Sequence, residues 1–365
     1  MHGHKKNNGG GTRTIPVNEA VGTVIAHDIT EIRPGEFKDA AFKKGHIVKQ
    51  EDISLLKKIG KENLFILEIR EDEMHENDAA VALAEALSGT GISWNKEPKE
   101  GKINLFAEKD GLFRANRDVL LKFNMLGEVA CSTIHGNSVV QSGQLVAGTR
   151  AIPLVVKRSV VDEAVKIAGT VKGVLTVSDM RKPAAGVVIT GNEVYHKRVK
   201  DAFAPVIKRK IKAVDGVIVG LHYVPDEVGQ IEDMIKELIA DGADLIIITG
   251  GMSVDPDDVT RYAISNLCSG DTTYGSPVLP GSMFLVAYME MKNPKSEIRN
   301  PKLKHVPILG IPACGMYSSI TVFDLILPRV LAGERIGRKE LAELGHGGLC
   351  LKCKECTYPV CPFGK

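Results

Sequence analysis

The chain has 365 residues, too many for one ordinary hydrophobic core, so we expect two or three domains. Apolar residues make up 44% of it and charged residues 25%, the balance of a folded globular protein. Its 47 basic and 45 acidic side chains are interspersed, so the net charge of +2 gives no sign of nucleic-acid binding. No apolar run reaches the roughly 20 residues that span a bilayer, which predicts a cytoplasmic protein with no membrane partner.

The first 75 residues are predicted to hold a tail and a small mixed region. Residues 1–14 form the tail, because Met1–Gly11 is rich in His, Lys, Asn and Gly and lacks the apolar segment of a secretory signal. In residues 15–75 an amphipathic helix opens at Glu51 and ends before Gly60. A strand over Leu64–Ile69 follows it.

Residues 76–175 predict a small β-rich domain that opens with a helix over Asn77–Leu87 and closes with one over Val161–Ala168. Its strands are expected at Ile103–Ala107, Gly111–Ala115, Val129–Ile134, Gln144–Ala147 and Ile152–Val156.

Residues 176–335 alternate apolar runs with amphipathic helices. Strands are expected at Gly186–Thr190, Gly216–Tyr223, Ala243–Thr249 and Val306–Ile311. Helices are expected at Ala202–Ala213, at Glu227–Ile239 with Asp226 as its cap, and at Tyr317–Leu331. Strands this apolar are buried on both faces. The fold class predicted is therefore α/β, with a mostly parallel sheet flanked by helices and a smaller α+β N-terminal region.

Three unusual loops follow strands of this sheet, where open α/β sheets bind their ligands. They span Thr190–Tyr195, Thr249–Thr260 and Gly310–Ser319. In the second loop, paired glycines allow close backbone approach to an anion. A helix is expected there, with Asp255 as N-cap and Pro256 as its first residue.

In their sequences and in their order along the chain, these loops resemble the molybdopterin-binding domain of the molybdenum insertases (molybdotransferases) and the gephyrin domains. The matching motifs are Thr-Gly-Asn-Glu at 190–193, Thr-Gly-Gly-Met-Ser-Val at 249–254, Pro-Gly at 280–281 and Gly-Ile-Pro-Ala at 310–313. The stretch Pro256–Thr260 is also similar to the related competence/damage-inducible proteins.

The resemblance implies molybdopterin or its adenylate as the ligand. Asp257 or Asp258 would be the catalytic acidic residue, positioning Mg²⁺ or oxomolybdenum. The ligand-binding residues that it implies are Thr190, Gly191, Asn192, Glu193, Thr249, Gly250, Gly251, Met252, Ser253, Asp255, Pro280, Gly281, Pro312, Ala313, Cys314, Gly315 and Ser318.

The N-terminal part also resembles an insertase, in Pro16–Asp28 and in Phe42–Leu67. Three features depart from that family. The insertase stretch Ser-x-Met-Asp-Gly is replaced by Glu36–Phe42, and Cys314-Gly315 stands where insertases usually carry Asn-Pro. The C-terminal β domain of the insertases is missing, and residues 336–365 form a cysteine-rich tail instead.

The tail carries four cysteines with spacings of two, two and four residues: Cys350, Cys353, Cys356 and Cys361. Four thiolates in this pattern are expected to bind metal, as a Zn²⁺ site or an iron–sulfur cluster, and the alternative is a flexible tail of free thiols. Of the other cysteines, Cys131 and Cys268 are expected to be core thiols. Cys314 is predicted at a helix N-terminus that favours its thiolate, although a small filler beside the ligand is the preferred interpretation.

The function predicted is molybdopterin binding in molybdenum cofactor biosynthesis, either as a molybdotransferase-like enzyme or in cofactor delivery. The first alternative is a non-catalytic, metal-responsive scaffold or chaperone for a molybdoenzyme. The second is a nucleotide-processing enzyme like the damage-inducible proteins. A homo-oligomer is expected, with a molybdoenzyme or another cofactor-synthesis protein as partner.

Overall fold

The computed structural model describes residues 12–23, 25–33, 37–43, 45–67, 69–253, 255–256, 258–268, 270–291 and 304–365. The chain divides into two compact units, one of residues up to 135 plus 140–178, the other of residues 136–139 plus 179–365. The finer division into five regions stays a prediction. Within the described ranges, no helix has the length and apolar character that a membrane crossing requires.

The first part of the chain is rich in short antiparallel strands. The strands are β1 (Thr12–Pro16), β2 (Ile29–Arg33), β3 (Phe37–Phe42), β4 (Asn63–Leu67), β5 (Glu73–His75), β6 (Ile92–Trp94), β7 (Lys102–Ala107), β8 (Gly111–Ala115), β9 (Val129–Thr133), β10 (Ser138–Val140), β11 (Leu145–Ala151), β12 (Val155–Lys157) and β13 (Leu175–Ser178). The helices are α1 (Asp52–Lys58), α2 (Glu76–Leu87), α3 (Arg117–Asn124) and α4 (Arg158–Ala168). A sheet in the order β6-β7-β11-β9 forms the centre of this unit.

The helix predicted over Asn77–Leu87 is confirmed as α2. Its apolar face is Ala80, Leu83, Ala84 and Leu87, and all four side chains are fully buried. Residues spaced by three and four along a helix share one face, so the sequence period identified this surface directly.

The second unit is built on a six-stranded sheet with helices on both faces. Its strands are β14 (Ala184–Thr190), β15 (Val217–Val224), β16 (Leu245–Thr249), β17 (Thr272–Tyr274), β18 (Leu285–Glu290) and β19 (His305–Ile311). Its helices are α5 (Asn192–Tyr195), α6 (Phe203–Lys212), α7 (Val228–Ala240), α8 (Thr260–Leu267), α9 (Cys314–Tyr317), α10 (Val322–Leu331) and α11 (Arg338–Glu343). The strand order is β15-β14-β16-β19-β18-β17.

The predicted α/β fold class is confirmed in this unit. The four strands β15, β14, β16 and β19 run parallel, and β18 and β17 add an antiparallel edge. Every residue of β14 and β16 is buried, as expected for central strands that are covered on both faces. Helices α6 and α10 cover one face of the sheet, and α7 and α8 cover the other.

The helix predicted after β19 starts at the wrong residue. The helix expected over Tyr317–Leu331 begins five residues later, at Val322, as α10, and Tyr317 is instead the last residue of the short helix α9. Thr321 caps α10 because its hydroxyl accepts from the Phe323 N–H, while the Asp324 carboxylate accepts from the Thr321 N–H. This reciprocal pair of bonds defines a new helix start, which apolar periodicity does not reveal.

Candidate functional site

The three predicted loops meet at one edge of the sheet. Strands β14, β16 and β19 are neighbours and run parallel, so their carboxyl ends lie side by side. A cleft of about 870 Å³ opens there. The sequence-predicted residues that line it are Thr190, Glu193, Gly250, Gly251, Met252, Ser253, Asp258, Pro280, Gly281, Pro312, Ala313 and Cys314.

The floor of the cleft is the Gly250-Gly251 turn after β16. Both residues have positive φ, 88° and 55°, a region that side chains resist. A Cβ on Gly250 would lie 2.2 Å from the carbonyl oxygen of Thr190, and one on Gly251 would lie 2.4 Å from the Thr260 hydroxyl. Both glycines are therefore required by backbone conformation and by close packing, and the turn brings bare backbone to the cleft surface.

Hydroxyl groups tie this turn to the loop after β14. The Thr190 hydroxyl donates to the Thr249 carbonyl oxygen at 3.2 Å and lies 2.9 Å from the Thr260 hydroxyl, from which it accepts. Thr249 itself is fully buried and does not line the cleft. Thr249 thus contributes its backbone carbonyl to the contact beneath the glycine turn, whereas the resemblance implied direct ligand contact.

The segment after the glycine turn starts its helix later than predicted. Asp255 and Pro256 are not the N-cap and first turn of a helix, because α8 begins at Thr260. The Asp258 N–H donates to the Asp255 carbonyl oxygen, which forms a turn instead. Asp258 lines the cleft and Asp255 does not, while the other acidic candidate, Asp257, lies outside the described residues.

Met252 closes the cleft from beneath. Its side chain is buried, and its sulfur would lie 2.9 Å from a Cβ on Gly310, so that glycine of β19 makes room for it. The Tyr274 hydroxyl donates to the Met252 carbonyl oxygen at 2.7 Å. The Met252 thioether therefore packs in the hydrophobic core, and only part of the residue lines the cleft.

The loop after β14 splits between the cleft and a structural contact. Glu193 lines the cleft, but Gly191 and Asn192 do not. The Asn192 N–H donates to the Asp226 carboxylate at 2.8 Å, and the Asp226 N–H donates to the Asn192 side-chain oxygen at 3.4 Å. Asp226 thus joins two loops, and the N-cap position of α7 that we predicted for it is occupied by Glu227.

Sequence reasoning missed the contribution of the segment before α6. Lys200 and Asp201 line the cleft. The Asp201 carboxylate accepts from the N–H groups of Phe203 at 2.8 Å and Ala204 at 2.9 Å, as a helix cap does. It also accepts from the Tyr223 hydroxyl, whose pKa is raised by partial burial and by the Asp201 charge. An Asp just before an amphipathic run was the available signal.

The loop after β19 forms the opposite wall, through Pro312, Ala313 and Cys314. Burial raises the pKa of the Cys314 thiol, so the expectation of a favoured thiolate is wrong. The reason is that α9 is only four residues long and supplies little dipole, while the side chain is half-buried. Gly315 packs against Ile311, and Ser318 lies at a different cavity.

That different cavity, of about 350 Å³, is lined by all four cysteines of the tail. Cys353 and Cys356 are exposed, and Cys350 and Cys361 are half-buried. Within the part of the chain that the structure describes, no three His, Cys, Asp or Glu side chains form a ready ligand group for a metal ion. Metal binding by the tail therefore stays a prediction.

The other two cysteines are core thiols, as predicted. Cys131 and Cys268 are 4% exposed, and burial raises the pKa of each to about 12.

Two family models match the chain. Residues 186–332 match the model described as a probable molybdopterin binding domain, and residues 14–68 match a domain of unknown function, DUF8806. The match over residues 186–332 spans the parallel sheet and most of the cleft. Residues 186–332 of the second unit therefore match the kind of domain that its loops predicted.

Curated relatives and solved structures match this chain at lower similarity. A CinA-like protein of Mycobacterium sp. (strain MCS) is 32% identical over 84 residues, 23% of this chain and 20% of that protein. A CinA-like protein of Mycobacterium avium (strain 104) is 27% identical over 110 residues, 30% of this chain and 25% of the relative. The matched stretches thus span only about a fifth to a quarter of these relatives.

Among solved structures, the tungsten cofactor synthesizing protein MoaB from Pyrococcus furiosus is 15% identical, with 42% of this chain and 98% of that chain covered and a TM-score of 0.33. The molybdopterin biosynthesis moea protein from Pyrococcus horikosii is 13% identical, with 88% and 75% covered and a TM-score of 0.31. Scores this low define no function.

Proposed function

We propose that the cleft binds molybdopterin or its adenylate, and that the protein acts in molybdenum cofactor biosynthesis, in metal insertion or in cofactor delivery. The observation that carries this proposal is the convergence of three strand-end loops on one cleft, inside the residues that match the molybdopterin-binding model.

The cleft suits an anionic heterocycle in size and chemistry. Its volume lies within the roughly 300–1,000 Å³ of small-molecule sites. Among the described residues, the amides of Gly251, Met252 and Ser253 donate to no backbone carbonyl, so they are available for a phosphate. Lys200 and Lys352 line the same space, and their positive charge complements that of a phosphate.

Asp258 is the carboxylate that we assign to a Mg²⁺ ion or to oxomolybdenum beside the ligand. It lines the cleft next to the glycine turn, and carboxylate oxygens are ligands that Mg²⁺ prefers. Without a cation, a carboxylate here would repel a phosphate, so its contribution to binding depends on the metal.

Three further parts of the proposal lie outside the cleft. The tail cysteines hold a thiolate-bound metal centre, an iron–sulfur cluster or Zn²⁺. The ligand passes to or from a molybdoenzyme or another cofactor-synthesis protein. The protein is a homo-oligomer.

The test is equilibrium binding of molybdopterin to the purified full chain under anaerobic conditions, with and without Mg²⁺. We expect Mg²⁺ to tighten binding to the native protein and Asp258→Asn to remove that gain. The expected loss is about 10- to 150-fold in Kd, the equivalent of roughly 1.5–3 kcal/mol for a bond to a charged group.

The matched control is Asp241→Asn, because Asp241 is exposed at the end of α7 and does not line the cleft. Native protein without affinity for molybdopterin or its adenylate would contradict the proposal. An Asp258→Asn protein that keeps its full response to Mg²⁺ would remove Asp258 from it.

A nucleotide ligand is the second candidate, favoured by the similarity to the CinA-like proteins. The same amides and lysines would then hold a nucleotide pyrophosphate. Hydrolysis of a nucleotide pyrophosphate by the purified protein, lost in Asp258→Asn, would favour this candidate over the pterin.

A further inference from the structure

Tyr317 is the most exposed aromatic side chain among the described residues, at 82%. It lines the ligand cleft and also the cavity at the cysteine tail, so it lies on the rim between the two spaces. A ring this exposed contributes little packing energy to the fold, although it forms part of a concave surface. Its large apolar faces are therefore available to a ligand in the cleft.

Tyr317 differs from the other six tyrosines in having no partner within the described part of the chain. There, neither its hydroxyl nor its ring makes a hydrogen bond, a ring contact or a contact with a cation. The six others are each held by a hydrogen bond, by a ring or guanidinium neighbour, or by packing against the core: Tyr195, Tyr223, Tyr262, Tyr274, Tyr288 and Tyr358.

The backbone that carries Tyr317 is held in place. Helix α9 ends at Tyr317, and two residues later the Lys210 ammonium donates to the Ser319 carbonyl oxygen at 2.9 Å. The same ammonium pairs with the Asp324 carboxylate, and the Lys210 side chain is only 11% exposed. A ligand that contacts the Tyr317 ring therefore does not have to order this loop first, which avoids part of the entropic cost of binding.

The loop that bears Tyr317 lies beside the expected phosphate site. Strands β16 and β19 are adjacent in the sheet, and neighbouring strands lie about 4.8 Å apart. The loops that follow them thus leave the sheet side by side, the first with the Gly250-Gly251 turn and the second with Tyr317. One cleft therefore contains both an anion site and an aromatic surface.

We propose that Tyr317 is the surface on which the flat heterocycle of the ligand stacks while the phosphate of the same ligand binds at the glycine turn. This inference rests on the proposed function. Stacking suits a pterin and a nucleotide base alike, because every such heterocycle has a π face. The Tyr317 hydroxyl is not needed for it, so phenylalanine should serve equally well at this position.

The experiment measures the Kd of molybdopterin, under anaerobic conditions, for the full native chain and for Tyr317→Ala and Tyr317→Phe. We expect Tyr317→Ala to raise the Kd about 5- to 150-fold, the equivalent of the roughly 1–3 kcal/mol that stacking on an aromatic side chain supplies. Tyr317→Phe should keep the native Kd. Thermal unfolding should be the same for all three proteins, because the exposed side chain has no partner among the described residues.

Inorganic phosphate, added as a competitor, separates recognition of the ring from binding of the anion. Phosphate has no ring to stack, so it should displace molybdopterin from native protein and from Tyr317→Ala with the same inhibition constant. The matched control is Tyr262→Ala, because Tyr262 is exposed but does not line the cleft, and the Arg261 guanidinium already lies over its ring. This variant should leave both constants unchanged.

A Tyr317→Ala protein that binds molybdopterin as tightly as native protein would overturn the inference and leave the proposed function standing. Equal weakening of molybdopterin and phosphate binding would also overturn it, because the substitution would then have disturbed the anion site. Native protein that binds neither molybdopterin nor its adenylate would overturn the proposed function, and the role of Tyr317 with it.

Discussion

Cys314 lies in the wall of the cleft, half-buried, and burial raises the pKa of its thiol. A raised pKa means less thiolate at any given pH, and the thiolate is the form that reacts with alkylating reagents.

We therefore predict that Cys314 reacts slowly with iodoacetamide near neutral pH and faster as the pH rises above the usual range of a thiol. Exposed Cys353 should react early in protein that carries no metal. Cys131, buried with a pKa of about 12, should stay unlabelled in the folded protein. Peptide mapping by mass spectrometry measures all three in one sample. Labelling of Cys314 as fast as that of Cys353 at neutral pH would contradict the burial argument.

Single residues also mark where sequence reasoning stopped. Gly250 and Gly251 were predicted at the cleft because their residue type matters for backbone conformation. Lys352 and Lys200 were missed, because a lysine on a loop carries no local signal and reaches the cleft only through tertiary packing. The burial of Thr249 likewise follows from the elements packed around the end of β16, since a Thr-Gly-Gly motif does not show which way the hydroxyl points.

The glycine turn after β16 is the element on which the cleft depends most. We predict that Gly250→Ala destabilises the protein and abolishes ligand binding, since a methyl group would combine an unfavourable φ of 88° with a 2.2 Å contact to the Thr190 carbonyl oxygen. Thermal unfolding and a binding titration measure the two effects.

The matched variant is Gly270→Ala, at a similar φ of 86° but with open space around the added methyl group. Gly270→Ala should lower the free energy of unfolding by about 1–2 kcal/mol, through backbone conformation alone, and leave ligand binding intact. If Gly250→Ala costs no more than Gly270→Ala, the close packing of the turn against Thr190 is wrong.

At the other end of β16, an ion pair links the sheet to the segment that enters it. Arg181 pairs with Asp244 at 2.6 Å, and the side chains are 15% and 5% exposed. The Asp244 carboxylate also accepts from the Ala184 N–H. Neighbouring Lys182 pairs with Asp215 at 3.2 Å on the surface, with both side chains more than 70% exposed.

We predict that Arg181→Ala lowers the free energy of unfolding by about 3–5 kcal/mol, because it leaves a buried carboxylate without its partner. Lys182→Ala should cost about 0–1 kcal/mol, as exposed pairs contribute little. Denaturant unfolding of both variants measures the difference, and equal losses would contradict the assigned burial.

The main elements of the second unit could be predicted because the residue pattern of each element shows which of its faces is buried. The all-apolar run of β16 and the periodic face of α7 identify a covered strand and a covering helix without knowledge of their neighbours. Boundaries that depend on side-chain bonds were missed, as at Thr321 and at the start of α8. Neither strand of the antiparallel edge was among those expected: β18 was left out, and the three half-buried residues of β17 carry too weak a pattern.

At the scale of the whole molecule, the sequence order of the motifs predicted the site better than any one motif. Thr190, Gly250 and Pro312 lie far apart in sequence and become neighbours only because β14, β16 and β19 are adjacent in the sheet. The contribution of the tail to the cleft could not be predicted, because it depends on the Leu279–Cys350 backbone contact.

The most direct test of the central claim is anaerobic purification of the full chain, followed by denaturation and fluorescence detection of released, oxidised pterin. We predict pterin in the extract, or its retention after the purified protein is mixed with molybdopterin and passed through a desalting column. An extract without pterin, from a protein that also fails to retain added molybdopterin or its adenylate, would contradict it.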